Sequence, residues 1–271
     1  MKYVRPETIE AAALAVSAGA VPLGGGTLLV PEIARCQRMG QTFVDLGRLS
    51  ELSLISKRDN LLQVGSMVTL DRLETVTAQR STRAISQAAR AVGNPQVRRA
   101  GTLGGNIAAG TPTTDVFPAL LALDAQVLSQ YGTEQETSSI ATFSASGHLI
   151  TSVILPVNDT ISSSFRKFAW RHSSGLTLAN ISTALWIAGG MVTRVRIVVG
   201  GISSITRRLE STEQLLTGRK LADFTEPLLN EAAALAAKEC ISDLPASPSQ
   251  QYRRELVSAG VHATLAEAAW A

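Results

Sequence analysis

Cysteine is nearly missing from this chain: 271 residues carry only Cys36 and Cys240. They stand far apart, so no Cys-x-x-Cys pair exists, and two thiolates cannot hold a four-ligand iron–sulfur cluster. Both read as buried apolar residues rather than redox centres. Histidine is almost as scarce. His148, His172 and His262 show no metal-ligand spacing, and neither an H-E-x-x-H helix nor a Ser-His-Asp arrangement can be read. Without a metal or nucleophile of its own, the chain would need a bound organic cofactor for any redox chemistry.

Long apolar runs are also lacking, and none approaches the roughly 18 residues that a membrane span requires. The start, Met1-Lys2-Tyr3-Val4-Arg5-Pro6, has no signal-peptide core and leads into a helix signal, so a cytoplasmic location is expected. Charge of one sign is not concentrated either. The net charge is +3 with Lys and Arg scattered, which speaks against nucleic acid as a partner. The pairs Arg207-Arg208 and Arg253-Arg254 read as solvated helix faces. At 45% hydrophobic and 17% charged, the composition is that of an ordinary globular protein, long enough for two modest domains.

Glycine, by contrast, is gathered into two loops. The stretch 98–115 reads Arg-Arg-Ala-Gly-Thr-Leu-Gly-Gly-Asn-Ile-Ala-Ala-Gly-Thr-Pro-Thr-Thr-Asp, and 22–29 reads Pro-Leu-Gly-Gly-Gly-Thr-Leu-Leu. Glycines let backbone N–H groups approach a ligand, Thr and Asn add short polar groups, and Asp115 can accept from ligand hydroxyls. Asp115 can equally cap the helix that follows it. The loop at 24–26 leads from a strand-like segment into a helical turn, which aims N–H groups at an anion. Neither loop has the Gly-Lys-Ser/Thr of a P-loop or the G-x-G-x-x-G of a Rossmann turn.

Hydrophobic periodicity predicts an α+β chain. Pro6 can take the first helical position, with Ile9, Ala12, Ala13 and Val16 on one face. A strand at 20–23, a helix at 27–34 and a strand at 43–46 complete a β-α-β lobe over 1–55. The next lobe, 56–160, holds strands at 52–56 and 61–64 around a turn at 58–60, helices at 70–77 and 82–91, the second glycine loop and a helix at 115–123. Strands at 126–130, 136–140 and 149–155 close it. The polar stretch 157–164 marks the domain boundary. Beyond it, 161–271 carries three strands, at 165–170, 181–188 and 192–199, and helices at 206–217, 226–240 and 249–270. No internal repeat is present.

The two loops together resemble those of the FAD-binding medium subunit of the molybdenum hydroxylases, the family of xanthine dehydrogenase and aerobic carbon monoxide dehydrogenase. Leu23-Gly24-Gly25-Gly26-Thr27 is similar to the family's Ala-Gly-Gly-Thr loop. Gly101-Thr102-Leu103-Gly104-Gly105-Asn106 followed by Thr111-Pro112-Thr113-Thr114-Asp115 is similar to its second loop. Lys167-x-x-x-Arg171 and Gly200-Gly201 also stand at family positions. The resemblance implies a two-lobed FAD-binding domain of the vanillyl-alcohol oxidase-like type with FAD between its lobes, then a small C-terminal domain of a three-stranded sheet plus helices. It assigns pyrophosphate contacts to Gly24, Gly25, Gly26 and Thr27, with Leu28 and Leu29 following. Thr102, Gly104, Gly105 and Asn106 would line the flavin side, with Thr111 nearby and Asp115 on ribityl or ribose hydroxyls. Ile150 would pack on the flavin edge, Val92 would lie over the ring, and the Lys167 cation would favour negative charge on the reduced flavin. The implied partners are an iron–sulfur subunit and a molybdenum subunit, with NAD or oxygen as acceptor.

Departures are few. Leu28 replaces a polar residue, Val92 stands where some relatives place an aromatic ring, and Gly175 and Thr177 replace Asp and Ala. The ending Ser247-Pro248-Ser249-Gln250-Gln251-Tyr252-Arg253-Arg254 is a stretched form of the family's. Two other readings stay open on sequence: an assembly subunit whose flavin site has degenerated, and a free-standing flavin oxidoreductase.

Overall fold

The computed structural model of the chain describes residues 2–171, 175–240, 243 and 248–270, which leaves His172 and Ser247 outside. Its elements run β1 (Lys2–Val4), α1 (Ile9–Ser17), β2 (Val21–Leu23), α2 (Leu29–Ala34), β3 (Thr42–Asp45), β4 (Ile55–Arg58), β5 (Leu61–Gly65) and α3 (Leu70–Val76). Four helices follow: α4 (Arg83–Ala91), α5 (Pro95–Ala100), α6 (Leu103–Ala108) and α7 (Val116–Ala122). Then come β6 (Gln126–Tyr131), β7 (Glu134–Ser139), β8 (Leu149–Pro156), β9 (Ile161–Ala169), β10 (Thr177–Ala188), β11 (Met191–Gly200) and β12 (Arg207–Arg208). The chain ends in α8 (Glu210–Leu216), α9 (Glu226–Glu239) and α10 (Gln250–Trp270). Among the described residues no helix is long and apolar enough to cross a membrane.

These elements form two compact units. The first comprises Met1–Leu73, Asn94–Gly110 and Asp124–Leu155; the second comprises Glu74–Gly93, Thr111–Leu123 and Pro156–Ala271. In the first, β1 and β2 flank β3 in parallel, and a five-stranded sheet runs β4-β5-β8-β6-β7. The face of α1 predicted from spacing is the buried one: Ala12, Ala13 and Val16 join Val44, Leu46, Leu49, Leu52 and Leu149 in one core. Its start differs from expectation. Thr8, not the Pro6 region, ends the extended chain, because its hydroxyl accepts the Ala11 N–H at 3.1 Å.

Half of the expected single loop over 98–115 is helical, in α5 and α6. Asn94 caps α5 by accepting the Val97 N–H at 2.9 Å, with Pro95 at the first helical position, and Thr102 caps α6. The caps outweigh the glycines.

In the second unit, a four-stranded sheet runs β12-β11-β10-β9, so the expected three-stranded sheet gains the two-residue β12. Of the polar stretch 157–164, residues 157–160 lie outside any strand while 161–164 begin β9, with Ser162, Ser163 and Ser164 fully buried. Two of the three hydroxyls find partners there, while Ser162 Oγ is buried with none among the described residues. Ser163 Oγ accepts the Ala84 N–H and donates to the Ser81 carbonyl, while Ser164 Oγ donates to Glu267 on α10. A core of Ile181, Leu185, Val195, Ile197, Val199, Phe224, Val257, Val261 and Leu265, among others, joins the sheet to α8, α9 and α10.

Three further expectations change. Cys240 is buried, but Cys36 is exposed, in a left-handed turn (φ 58°) after α2. Arg208 is half-buried against Glu213 rather than solvated. Arg253 is only 5% exposed, while its neighbour Arg254 faces solvent.

Candidate functional site

In the first unit the two glycine loops interlock. A Cβ on Gly25 would lie 1.6 Å from the Ala100 carbonyl oxygen, so only glycine allows the first loop to rest on the backbone that enters the second. Gly24 sits against Thr102 in the same way, 2.9 Å from a built Cβ to Oγ1, and the Thr27 hydroxyl stands beside Gly101. Gly26 turns with φ 71° into α2, whose first residues are capped by no side chain: Leu28 at the cap position is apolar and 43% exposed. The early N–H groups of α2 therefore have no side-chain acceptor. Leu29 is half-buried.

The second loop is spent differently. At the start of α6, Leu103 N–H goes to the Val68 carbonyl, Gly104 N–H to the Ser66 carbonyl, Gly105 N–H to Thr102 Oγ1 and Asn106 N–H to the Thr102 carbonyl. Its backbone donors are thus consumed inside the protein. What remains is shape and one amide: Asn106 Oδ1 is buried with no hydrogen-bond partner among the described residues, a state that a bound ligand would relieve. Ser66, which sequence reading missed, is the floor under Gly104, and nothing in its local sequence marks it. Ile150 is buried on β8 of this unit.

The second unit holds the other group of predicted residues, around Asp115. This carboxylate does not cap α7. It is 4% exposed; Oδ2 accepts from Lys167 Nζ, and Oδ1 accepts from the Thr177 hydroxyl at 2.9 Å and from Asn180 Nδ2 at 3.1 Å. Burial pushes its carboxyl above the ordinary range, opposed by the Lys167 charge and the hydrogen bonds from Asn180 and Thr177. Lys167 also donates to the Ala91 carbonyl at 3.1 Å, at the end of α4 beside the half-buried Val92. Lys167, Asp115 and the Val92 turn, far apart in sequence, so come to one place. Thr177, a departure from the family pattern, is a partner of Asp115, and Asn180 went unrecognised because a lone Asn inside an apolar strand carries no motif.

The loop before Asp115 is held at each carbonyl. The exposed Thr111 accepts the Thr114 N–H, Pro112 accepts the Gly201 N–H at 2.8 Å, Thr113 is reached by the Thr177 hydroxyl and Thr114 accepts from Asn180 Nδ2. Among the described residues no cluster of His, Cys, Asp and Glu could hold a metal.

Two family models together match nearly the whole chain. Residues 1–158 match the family described as the FAD binding domain in molybdopterin dehydrogenase, and residues 163–268 the CO dehydrogenase flavoprotein C-terminal domain. The chain is 28% identical over 279 residues to the nicotine 6-hydroxylase medium subunit of Paenarthrobacter nicotinovorans, covering 99% of this chain and 97% of that one. It is 26% identical over 266 residues to the glyceraldehyde dehydrogenase medium chain of Sulfolobus acidocaldarius, covering 94% and 93%. In fold it is similar to carbon monoxide dehydrogenase from Hydrogenophaga pseudoflava, with a TM-score of 0.89 at 21% identity over 99% of this chain and 96% of that one. Quinoline 2-oxidoreductase from Pseudomonas putida 86 gives 0.88 at 23% identity, over 99% and 96%. An interlocked pair of glycine loops, and family matches over nearly the whole length, make this chain an FAD-binding oxidoreductase subunit: it belongs to the family of FAD-binding domains in molybdopterin dehydrogenases, the medium subunits of the carbon monoxide dehydrogenase and xanthine dehydrogenase type.

Proposed function

We propose that this chain is the electron-transfer flavoprotein subunit of a molybdenum hydroxylase complex, taking electrons from iron–sulfur clusters of one partner subunit, fed by a molybdenum subunit, and passing them to NAD or oxygen. When bound, FAD supplies the conversion between one-electron and two-electron transfer. The observation that carries the reading is the seating of Gly25 on Ala100. It builds a glycine cradle of the kind a pyrophosphate needs, beside the start of α2 whose first N–H groups have no side-chain acceptor.

The residue roles follow from what each group still has to offer. Gly24, Gly25, Gly26 and Thr27, with the uncapped start of α2 at Leu28 and Leu29, donate backbone N–H groups to the pyrophosphate. Thr102, Gly104 and Gly105 shape the second wall, and Asn106 supplies its side-chain amide. Ile150 gives apolar surface. Asp115 acts mainly through Lys167: it holds the ammonium in place and compensates its charge, and the direct bond to cofactor hydroxyls that the resemblance implied is secondary, since three protein donors already reach this carboxylate. Val92 and Thr111 border the same group. In this reading 1–160 is the FAD-binding domain, with lobes at 1–55 and 56–160 of the vanillyl-alcohol oxidase-like type, and 161–271 the C-terminal domain; the location is cytoplasmic, where NAD is at hand.

The test is the flavin itself. Purified protein should be yellow, and denaturation should release FAD and not FMN, since the cradle serves a pyrophosphate. A colourless chain that cannot be reconstituted, or one that holds FMN, overturns the proposal and leaves the assembly-subunit reading.

A further inference from the structure

The C-terminal helix carries a charge in an expensive place. Arg253 lies in the first turn of α10, where the helix dipole disfavours a cation, and it is 5% exposed, where burial disfavours it again. The partners described for it are two backbone carbonyls: Nη1 donates to Gly201 at 3.2 Å and Nε to Pro248 at 3.3 Å. Ser249 already serves the helix start, its Oγ accepting the Tyr252 N–H, so the guanidinium is not needed to begin α10.

Gly201 is the other end of the contact. It has φ 78°, a left-handed conformation open to glycine, and its own N–H holds the Pro112 carbonyl at 2.8 Å. Beside it, a Cβ on Gly200 would fall 2.5 Å from Asn180 Oδ1, the amide that holds Thr114 and Asp115. One short turn thus receives Arg253 on one side and presents the support of the 111–115 loop on the other. We propose that Arg253 is a positioning residue for the flavin site, fixing through Gly201 the loop that carries Asp115 and, through Asp115, the Lys167 ammonium.

This inference rests on the FAD-site reading above. Arg253→Lys, which keeps the cation but cannot reach both carbonyls as a fork, should weaken FAD binding to the apoprotein by about tenfold, the scale of a coupling between sites. Arg253→Met should weaken it further. Gly201→Ala should give a loss of the same kind, and Arg253→Lys added to Gly201→Ala should cost little more, because both act through one turn. Affinity is read by flavin fluorescence titration on folded protein, with the visible spectrum of bound FAD and the thermal midpoint of each apoprotein measured in parallel. If the Arg253 variants melt earlier but bind FAD as wild type does, or if the double variant is additive, the positioning role is wrong and Arg253 only stabilises the helix. If wild-type protein takes up no FAD, the reading of the site fails first and carries the proposal with it.

Discussion

Glycines with the same apparent signature do different work at the scale of single residues. Gly25 is a packing necessity, whereas Gly105 is exposed and a Cβ there would meet only Thr102 Oγ1, at 3.0 Å. Gly25→Ala should therefore force the two loops apart, abolishing FAD uptake and lowering the melting temperature together. Gly105→Val should leave the fold intact and reduce FAD affinity, because a branched side chain stands in the second wall of the cradle. Circular dichroism with flavin titration separates the two; equal loss of fold in both would contradict the assignment. The cysteines divide similarly. Burial raises the Cys240 thiol from an ordinary value of 9.0 to about 11, although Arg254, Arg207 and Arg253 pull it down, while Cys36 is exposed. A raised folded value means that the neutral thiol is favoured by folding, so this contribution is intact below pH 9.0 and is lost as pH climbs toward about 11. Iodoacetamide at pH near 8 should label one thiol fast, and Cys36→Ser should remove that phase.

Individual elements were legible where periodicity and caps agreed. The face of α1 was readable from spacing, and so were the spans of α4, β6, β8 and β11. The start of β9 was not, since three consecutive serines look like a turn until α4 and α10 are in place to bond Ser163 and Ser164. The Arg207-Arg208 pair shows the same limit. Glu213 on α8 is 4% exposed and accepts the Ile197 N–H of β11 together with Arg208 of β12, which fastens a two-residue strand to the sheet edge. Glu213→Ala should cost about 3 kcal/mol, because it strands an inward-facing guanidinium and a buried N–H. Glu213→Gln, which keeps an acceptor, should cost about 1 kcal/mol. Urea denaturation measures both, and equal values would show that charge plays no part at this edge.

For the whole molecule, the proposed function makes the isolated chain half of a redox path, since two cysteines far apart cannot bind the clusters that would feed its flavin. It should oxidise no purine, aldehyde or carbon monoxide, and should show at most slow NADH-to-dye turnover. Co-expressed with cluster and molybdenum subunits, it should yield a complex whose flavin is reduced on adding substrate. Anaerobic stopped-flow reduction of the lone chain by an organic substrate would instead establish a free-standing oxidoreductase.

What the sequence determined alone was family, cofactor and the two glycine loops, because a missing Cβ is a local property that can be read without knowing any partner. Tertiary structure decided what each polar group does. Asp115 reads as a ligand or a cap and becomes the counter-charge of Lys167, and Arg253 reads as a solvated residue and becomes a buried clamp on Gly201. Such groups are defined by partners 52 residues away in both cases, and a buried charge or amide settles its energy only when distant strands and helices bring donor and acceptor together.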